Sequence, residues 1–149
     1  MKRLFAVLLV LLASCRFAWA QDLFMVRTSL AFPEAMALLQ QTIKERGYDV
    51  SRVQRVDIGL TKSGFKTDKY RIVFFGKLSD VRELSDQYPE LIPYLPLQIA
   101  IFAENDETLL LASSFQHLRP FYSSPSLRAR FDRWEGDLRA ILEEVRNAE

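Results

Sequence analysis

The segment from residue 88 to residue 104 constrains the fold of this chain more than any other. Its first half carries Pro89, Pro93 and Pro96, which exclude a regular α-helix because proline lacks a backbone N–H and its ring clashes with the preceding turn. Its second half alternates in the manner of a half-buried strand. One side of that strand carries Leu97, Ile99, Ile101 and Ala103, and the other carries Gln98, Ala100, Phe102 and Glu104. The segment therefore predicts a rigid, extended approach to a strand whose register is fixed by burial.

The first twenty residues have the composition of a secretory signal peptide. Basic Lys2 and Arg3 precede an unbroken apolar run over residues 4–13, and Ala18-Trp19-Ala20 fits a small-x-small cleavage pattern. The apolar run is shorter than the ~20 residues that a membrane-spanning helix needs, so no membrane span is predicted. Cleavage is predicted after Ala20, which assigns residues 1–20 to the signal peptide and residues 21–149 to a single domain.

Cys15 supports a second interpretation of the leader. The sequence Leu12-Ala13-Ser14-Cys15 resembles the lipobox of bacterial lipoproteins, in which the cysteine is lipidated and becomes the first mature residue. The leader would then be residues 1–14, with a lipid anchor at Cys15. The following residues 16–20 do not form a flexible polar tether, which favours cleavage after Ala20. Both interpretations predict export, either to the periplasm or medium or as a membrane-anchored lipoprotein.

Composition excludes several classes of function for the mature chain. Cleavage after Ala20 removes Lys2, Arg3 and Arg16, which changes the formal net charge from +1 to 1 − 3 = −2. A weakly acidic domain lacks the basic surface on which nucleic-acid binding depends. The same cleavage removes the single cysteine, so no disulfide, thiolate nucleophile or sulfur ligand for a metal is predicted.

Hydrophobic periodicity predicts strands and helices in an order typical of an α+β domain. Helices are predicted from Pro33 to a Gly47 C-terminal cap, from a Ser79 or Asp80 cap to about residue 88, and from Pro125 to Val145. Strands are predicted at residues 23–30, 53–60, 70–76, 97–104 and 108–115. Amphipathic helices that bury one stripe against a sheet with short connections predict a two-layer domain with a curved antiparallel sheet and helices on one face.

The pattern resembles the domain of unknown function 302 family, whose members have no established biochemical activity. The resemblance rests on Gly47-Tyr48 after a helix, the strand Tyr70-Arg71-Ile72-Val73-Phe74-Phe75-Gly76, the segment Leu95-Pro96-Leu97-Gln98-Ile99-Ala100-Ile101 and the C-terminal amphipathic helix. It covers residues 23–145 and implies a TATA-binding-protein-like fold in β-α-β-β-β-β-α order, here with a short extra helix. Some members carry cysteine where Leu97 stands, so no thiol-based role is implied at that position.

No catalytic residue, cofactor or metal site is predicted. His117 is the only histidine. The adjacent carboxylates Asp106-Glu107 are predicted to lie in a turn, and Glu143-Glu144 are predicted to lie on a helix surface. Arg71 lies in an apolar strand, where an arginine needs an ion-pair or ligand partner. Glu104 is the predicted structural partner. A ligand site, where present, is expected on the uncovered sheet face near Arg71, Phe102 and His117.

Two functional hypotheses follow from these residues. The first is a non-catalytic exported domain that binds a small ligand or a protein partner through its sheet, most simply as a homodimer, because one helix layer cannot cover both sides of an apolar sheet. The alternative is a cofactor-dependent enzyme or redox accessory protein that uses His117.

Overall fold

Five strands form one antiparallel sheet in the computed structural model, which describes residues 23–148. Their bounds are β1 Leu23–Thr28, β2 Asp49–Arg55, β3 Tyr70–Gly76, β4 Leu97–Glu104 and β5 Glu107–Ser113. The order across the sheet is β1-β5-β4-β3-β2, and every neighbouring pair is antiparallel. The strand with the strictest alternation in the sequence, β4, therefore lies at the centre, and its predicted inward residues Leu97, Ile99 and Ile101 are buried.

Two long helices cover one face of this sheet. The first, α1, spans Phe32–Glu45, and the last, α4, spans Pro125–Arg146; they contact each other and the sheet. Between them come the short helices α2, Val56–Lys62, and α3, Leu78–Gln87, and a 3₁₀-helix at Pro89–Tyr94. Among the helices of residues 23–148, none has the length and hydropathy needed to cross a membrane. The predicted two-layer α+β architecture with helices on one face is confirmed.

The hydrophobic core lies between the helix layer and the inward side of the sheet. The sheet contributes Phe24, Val26, Val73, Phe75, Leu97, Ile99, Ile101, Leu110 and Ala112. The predicted apolar stripe of α4 is buried, including Leu127, Phe131, Trp134, Leu138 and Val145. The connection from β5 to α4 adds Phe115, whose ring stacks on Phe131 with centroids 5.3 Å apart. The final connection therefore contributes to the core at its start, through Phe115.

The end of α1 follows the prediction for Gly47. This residue has φ +73°, a left-handed conformation that glycine adopts without steric cost. Beyond it, the N–H of Tyr48 donates to the carbonyl of Ile43 at 3.2 Å. The buried Tyr48 hydroxyl donates to the Asp137 carboxylate of α4 at 2.5 Å, and burial together with this hydrogen bond raises the pKa of Tyr48. The turn thus ties the start of β2 to the C-terminal helix.

The strand predicted over residues 53–60 is correct only for residues 53–55, and the observed strand begins earlier, at Asp49. β2 ends at Arg55, and α2 begins at Val56. Arg55 pairs with Arg71, only one residue from the start of β3 at Tyr70. A longer β2 would leave backbone N–H and C=O groups without partners, because β3 does not extend further. The chain satisfies these groups within a helical turn instead.

The approach to β4 is also less extended than the prolines predict. Pro89 lies in the first turn of the 3₁₀-helix and Pro93 lies inside it. A short 3₁₀-helix needs few N–H donors, so it tolerates prolines that would break an α-helix. Leu91 from this turn is fully buried. The segment therefore packs onto the domain as a compact turn before the chain enters β4.

The start of α3 differs from the predicted cap. Its N-cap residue is Lys77, not Ser79 or Asp80, and the helix begins at Leu78. The Asp80 carboxylate instead contacts Arg130 and Arg133 of α4, each at 3.2 Å. Asp80 therefore links α3 to α4 and does not cap the N-terminus of α3.

Candidate functional site

The sheet face opposite the helices is apolar and uncovered among residues 23–148. Strand alternation places on it the side chains of Leu23, Met25, Tyr70, Ile72, Phe74, Ala100, Phe102, Leu109 and Leu111. None of these side chains is buried, and Leu23 and Met25 are 47% and 49% exposed. We call this surface the open face. Large exposed apolar patches on soluble domains mark sites that contact another molecule.

The open face has an apolar centre and a charged border. Near its middle, a shallow cavity of about 140 Å³ lies among Tyr70, Ile72, Ala100 and Leu111. At one corner, the Arg27 Nε donates to Glu104 at 2.8 Å, and Glu107 lies 3.9 Å from the same nitrogen. An apolar centre inside a polar rim is the usual anatomy of a protein interface.

Phe102 lies on the open face, as predicted, whereas Arg71 does not. Phe102 meets Tyr70 edge to face, with ring centroids 6.0 Å apart. Arg71 pairs with Ile101 across β3 and β4, so it points to the helix-covered side. There its guanidinium binds the Asp57 carboxylate, donates to the Tyr70 carbonyl at 2.9 Å, and lies near the Phe32 ring.

The predicted Arg71–Glu104 pair is wrong because the two side chains lie on opposite faces of the sheet. Glu104 binds Arg27 instead. The true partner of Arg71, Asp57, lies in the first turn of α2, a helix that the sequence pattern presents as strand. The prediction that Arg71 forms an ion pair within the chain is therefore correct, but its partner is Asp57 and not Glu104.

Replacing Asp57 with asparagine is expected to lower the free energy of unfolding by about 1–2 kcal/mol near neutral pH, because Arg71 then keeps only neutral acceptors. Hydrogen bonding from Arg71 holds the pKa of Asp57 below its usual value. A folded-state pKa below the unfolded value contributes stability above about pH 4, and that contribution is lost as pH falls through the folded-state pKa. Urea unfolding of both proteins across pH checks this: the difference should shrink below about pH 4, and a difference that grows there would contradict it.

His117 lies in a cleft beside the start of β4 and the end of β5. This cleft has a volume of about 270 Å³ and lies between the 3₁₀-helix, the ends of β4 and β5, and the connection that follows β5. Its lining residues are Phe74, Pro93, Tyr94, Leu95, Pro96, Leu97, Gln98, Ser113, Ser114, Phe115, His117, Leu118 and Leu138. We call it the His117 cleft.

The structure does not bring Arg71, Phe102 and His117 together. Gln98 in the His117 cleft and Phe102 on the open face are four residues apart on β4, which separates them by about 13 Å. Arg71 lies on the far side of the sheet from Phe102. The three predicted ligand-binding residues therefore belong to three separate places, and their ligand-binding roles stay predictions.

Two carboxylates hold the wall of the His117 cleft to α4. The buried Glu135 accepts a hydrogen bond from the backbone N–H of Phe115 at 2.8 Å, and Glu135 also lies 3.4 Å from Arg119. Arg119 donates to Asp132 at 2.7 Å. These bonds attach the connection that carries His117 to a long helix, so the cleft has a fixed wall. Sequence reasoning missed Tyr94, Gln98 and Ser113 of the cleft because they come from distant segments.

His117 lacks an orienting carboxylate in the part of the chain that the structure describes. No carboxylate among residues 23–148 hydrogen-bonds to the His117 ring, whereas a catalytic histidine is usually oriented by a third group. No group of three or more Asp, Glu, His or Cys side chains in the same residues is arranged to hold a metal ion.

Comparison with known proteins relates the whole described domain to one family. The model of the family described as "Domain of unknown function DUF302" matches residues 24–145. A solved structure, the crystal structure of an uncharacterized conserved DUF302 protein from Bacillus stearothermophilus, is similar with a TM-score of 0.76 and 20% sequence identity, covering 85% of this chain and 100% of that chain. No curated protein matches the chain. At this identity the structural similarity establishes the fold alone.

Proposed function

Because the chain belongs to the domain of unknown function 302 family, which assigns it no activity, we propose its function from its own surface: it is a non-catalytic binding domain whose open face binds a protein partner, most simply a second copy of itself. The observation that carries this proposal is the partial or full exposure of apolar side chains from four neighbouring strands on a face that no other part of residues 23–148 covers. Burial of that face would be favourable in proportion to the apolar area removed from water.

The size of the open face fits a modest homodimer interface. Four strands about 4.8 Å apart, each with about six residues, give a face of roughly 20 by 20 Å, or about 400 Å² in plan. Accessible area exceeds plan area because side chains protrude. The plan area lies within the about 300–600 Å² of the largest patch on a typical monomer and is about half of the about 800 Å² per partner of standard interfaces. We therefore expect a dimer with a dissociation constant of roughly micromolar.

A second copy is the simplest occupant because a two-fold interface is self-complementary. One patch then serves both partners, and the border of the open face carries charges of both signs. Arg27, Glu104 and Glu107 lie at one corner, and Arg52 lies at the opposite edge, beside Phe74. Opposite charges at the two edges can meet their counterparts across a two-fold axis, whereas a single-sign border would repel a second copy.

Replacing Leu111 with lysine is expected to abolish this dimer. Leu111 pairs with both Met25 and Ala100 at the centre of the open face, so a charge there would be buried without a partner on association. Sedimentation velocity at micromolar concentrations should show a dimer that dissociates on dilution for the natural protein and a monomer for the Leu111→Lys variant.

The matched control is Leu78→Lys, which makes the same change at a leucine that is 61% exposed on α3, away from the open face. This variant should dimerise like the natural protein. Circular dichroism melting of both variants verifies that they are folded. A natural protein that stays monomeric at high micromolar concentration would overturn the homodimer. Loss of the dimer in both variants would show that the open face is not the dimer interface.

The leader supports a proposal on location. We propose that the domain acts outside the cytoplasm, after cleavage behind Ala20 or, alternatively, after lipidation of Cys15. Both residues lie outside the described residues. Intact mass spectrometry of protein recovered from periplasmic and membrane fractions distinguishes a chain that begins at Gln21 from a lipidated one that begins at Cys15. A full-length chain confined to the cytoplasm would contradict export.

A further inference from the structure

The His117 cleft adjoins one edge of the open face, since Phe74 belongs to both and since Gln98 and Ser113 also line the open-face cavity. The lining of the cleft carries hydrogen-bonding groups without fixed charge. Its thirteen lining residues include no lysine, arginine, aspartate or glutamate. Charged residues make up 26% of the whole chain, so a lining without any of them differs from the average composition. An ion that entered the cleft would lose hydration without meeting an opposite charge. The cleft therefore discriminates against charged ligands.

Polar side chains with free hydrogen-bonding capacity line this cleft. Those that make no hydrogen bond or ion pair to other protein groups within residues 23–148 are Tyr94, Gln98, Ser113 and His117. Together they offer hydroxyl, amide and imidazole groups, which both donate and accept. Polar and apolar surface line the cleft in about equal parts, and convergent polar groups of this kind fix the orientation of a small ligand.

The apolar part of the cleft lining consists largely of ring side chains. Phe74, Tyr94 and Phe115 contribute aromatic rings, and Pro93 and Pro96 contribute rigid rings of their own. Planar ligands stack favourably on such surfaces. The volume of about 270 Å³ lies just below the about 300–1,000 Å³ of sites for drug-sized ligands, which suits a compound with a single ring.

We propose that the His117 cleft is a binding site for a small, uncharged, planar ring compound that carries hydrogen-bonding substituents. The ring lies between the aromatic and proline walls, and its polar substituent meets His117, Gln98 and Ser113. The bonds from the connection after β5 to Glu135 and Asp132 of α4 hold this wall in place before the ligand arrives, which lowers the entropic cost of binding.

Benzamide, benzoate and benzylamine test the proposal as neutral, anionic and cationic probes of nearly the same shape. His117 is the only histidine of the chain, so its ring proton signals in an NMR spectrum need no further assignment. Titration with benzamide should shift these signals with a dissociation constant of about 1 mM, as expected for a fragment. Benzoate and benzylamine should bind at least about tenfold more weakly, a difference of about 1.4 kcal/mol.

Two cleft variants and one control complete the test. Ser113→Phe fills the cleft from an exposed position, and Tyr94→Ala removes one aromatic wall; we expect about tenfold weaker benzamide binding in the first and a smaller loss in the second. Phe121→Ala removes an aromatic ring that is 79% exposed outside the cleft and should bind benzamide normally. Tyr94 is 48% exposed, so Tyr94→Ala is expected to fold normally. It therefore tests the cleft even if Ser113→Phe folds poorly.

The outcomes separate this site from the open face. Leu111 does not line the cleft, so the Leu111→Lys variant should bind benzamide normally whether or not the natural protein dimerises. Equal binding of the three probes, unchanged binding in both cleft variants, or no shift of the His117 signals at millimolar benzamide would each overturn the proposal.

Discussion

Replacing Phe131 with alanine is expected to lower the free energy of unfolding by about 3–5 kcal/mol. Phe131 is fully buried on α4. Its ring stacks on Phe115 at 5.3 Å and lies 6.1 Å from the rings of both Trp134 and Tyr122. Truncation therefore removes apolar burial and leaves a cavity among large rings that cannot collapse into it. Urea unfolding followed by circular dichroism measures the loss.

The control for Phe131 is the same substitution at Phe121, ten positions earlier on the connection to α4. Phe121 is 79% exposed, so Phe121→Ala should change the free energy of unfolding by no more than about 0.5 kcal/mol. A loss below about 1 kcal/mol for Phe131→Ala would mean that the aromatic cluster is not packed as described.

Replacing Glu135 with alanine is expected to cost about 3 kcal/mol. Glu135 is buried, accepts the Phe115 N–H at 2.8 Å and lies 3.4 Å from the partly buried Arg119. Its removal leaves the Phe115 N–H without an acceptor and takes one of two carboxylates from Arg119. Urea unfolding measures the loss, and faster amide hydrogen exchange around Phe115 should accompany it, since the wall of the His117 cleft is no longer tied to α4.

Glutamine separates the two contributions of Glu135. Glu135→Gln keeps an oxygen that can accept from Phe115 and removes only the charge that faces Arg119. Asp132 still binds Arg119 at 2.7 Å, so this variant should lose about 1 kcal/mol. Equal losses for the alanine and glutamine variants would show that charge, and not the hydrogen bond to Phe115, is what matters.

Most of the secondary structure could be predicted from the sequence because burial periodicity and helix-end chemistry are local. The inward residues of β4 and the buried stripe of α4 follow from spacings of two and of three to four residues. Gly47 ends α1 because glycine, which has no Cβ, adopts a positive φ without steric cost. The prediction failed at Val56, where an apolar alternation continues past the end of the partner strand. A strand can extend only as far as the neighbouring strand offers backbone hydrogen-bond partners. The length and position of that neighbour follow from the sheet topology and not from local spacing.

The candidate sites could be predicted less well than the fold. The need of Arg71 for a partner follows from burying a charge, but the choice between Asp57 and Glu104 depends on which face and which helix each residue occupies. The His117 cleft is assembled from β3, the 3₁₀-helix, β4, the connection after β5 and α4. No spacing in the sequence indicates that His117, Tyr94 and Gln98 lie together.

The sequence by itself determined the class of the domain, the alternation of its central strand and the presence of more apolar sheet surface than its helices can cover. These properties follow from local periodicity and from composition, which any compact fold of the chain must satisfy. The tertiary structure alone decided that the three-proline segment folds into a 3₁₀-helix, which carbonyl and carboxylate groups hold Arg71, and which polar side chains meet around His117. Such contacts join residues far apart in the chain, so they depend on strand order and packing and not on neighbouring residues.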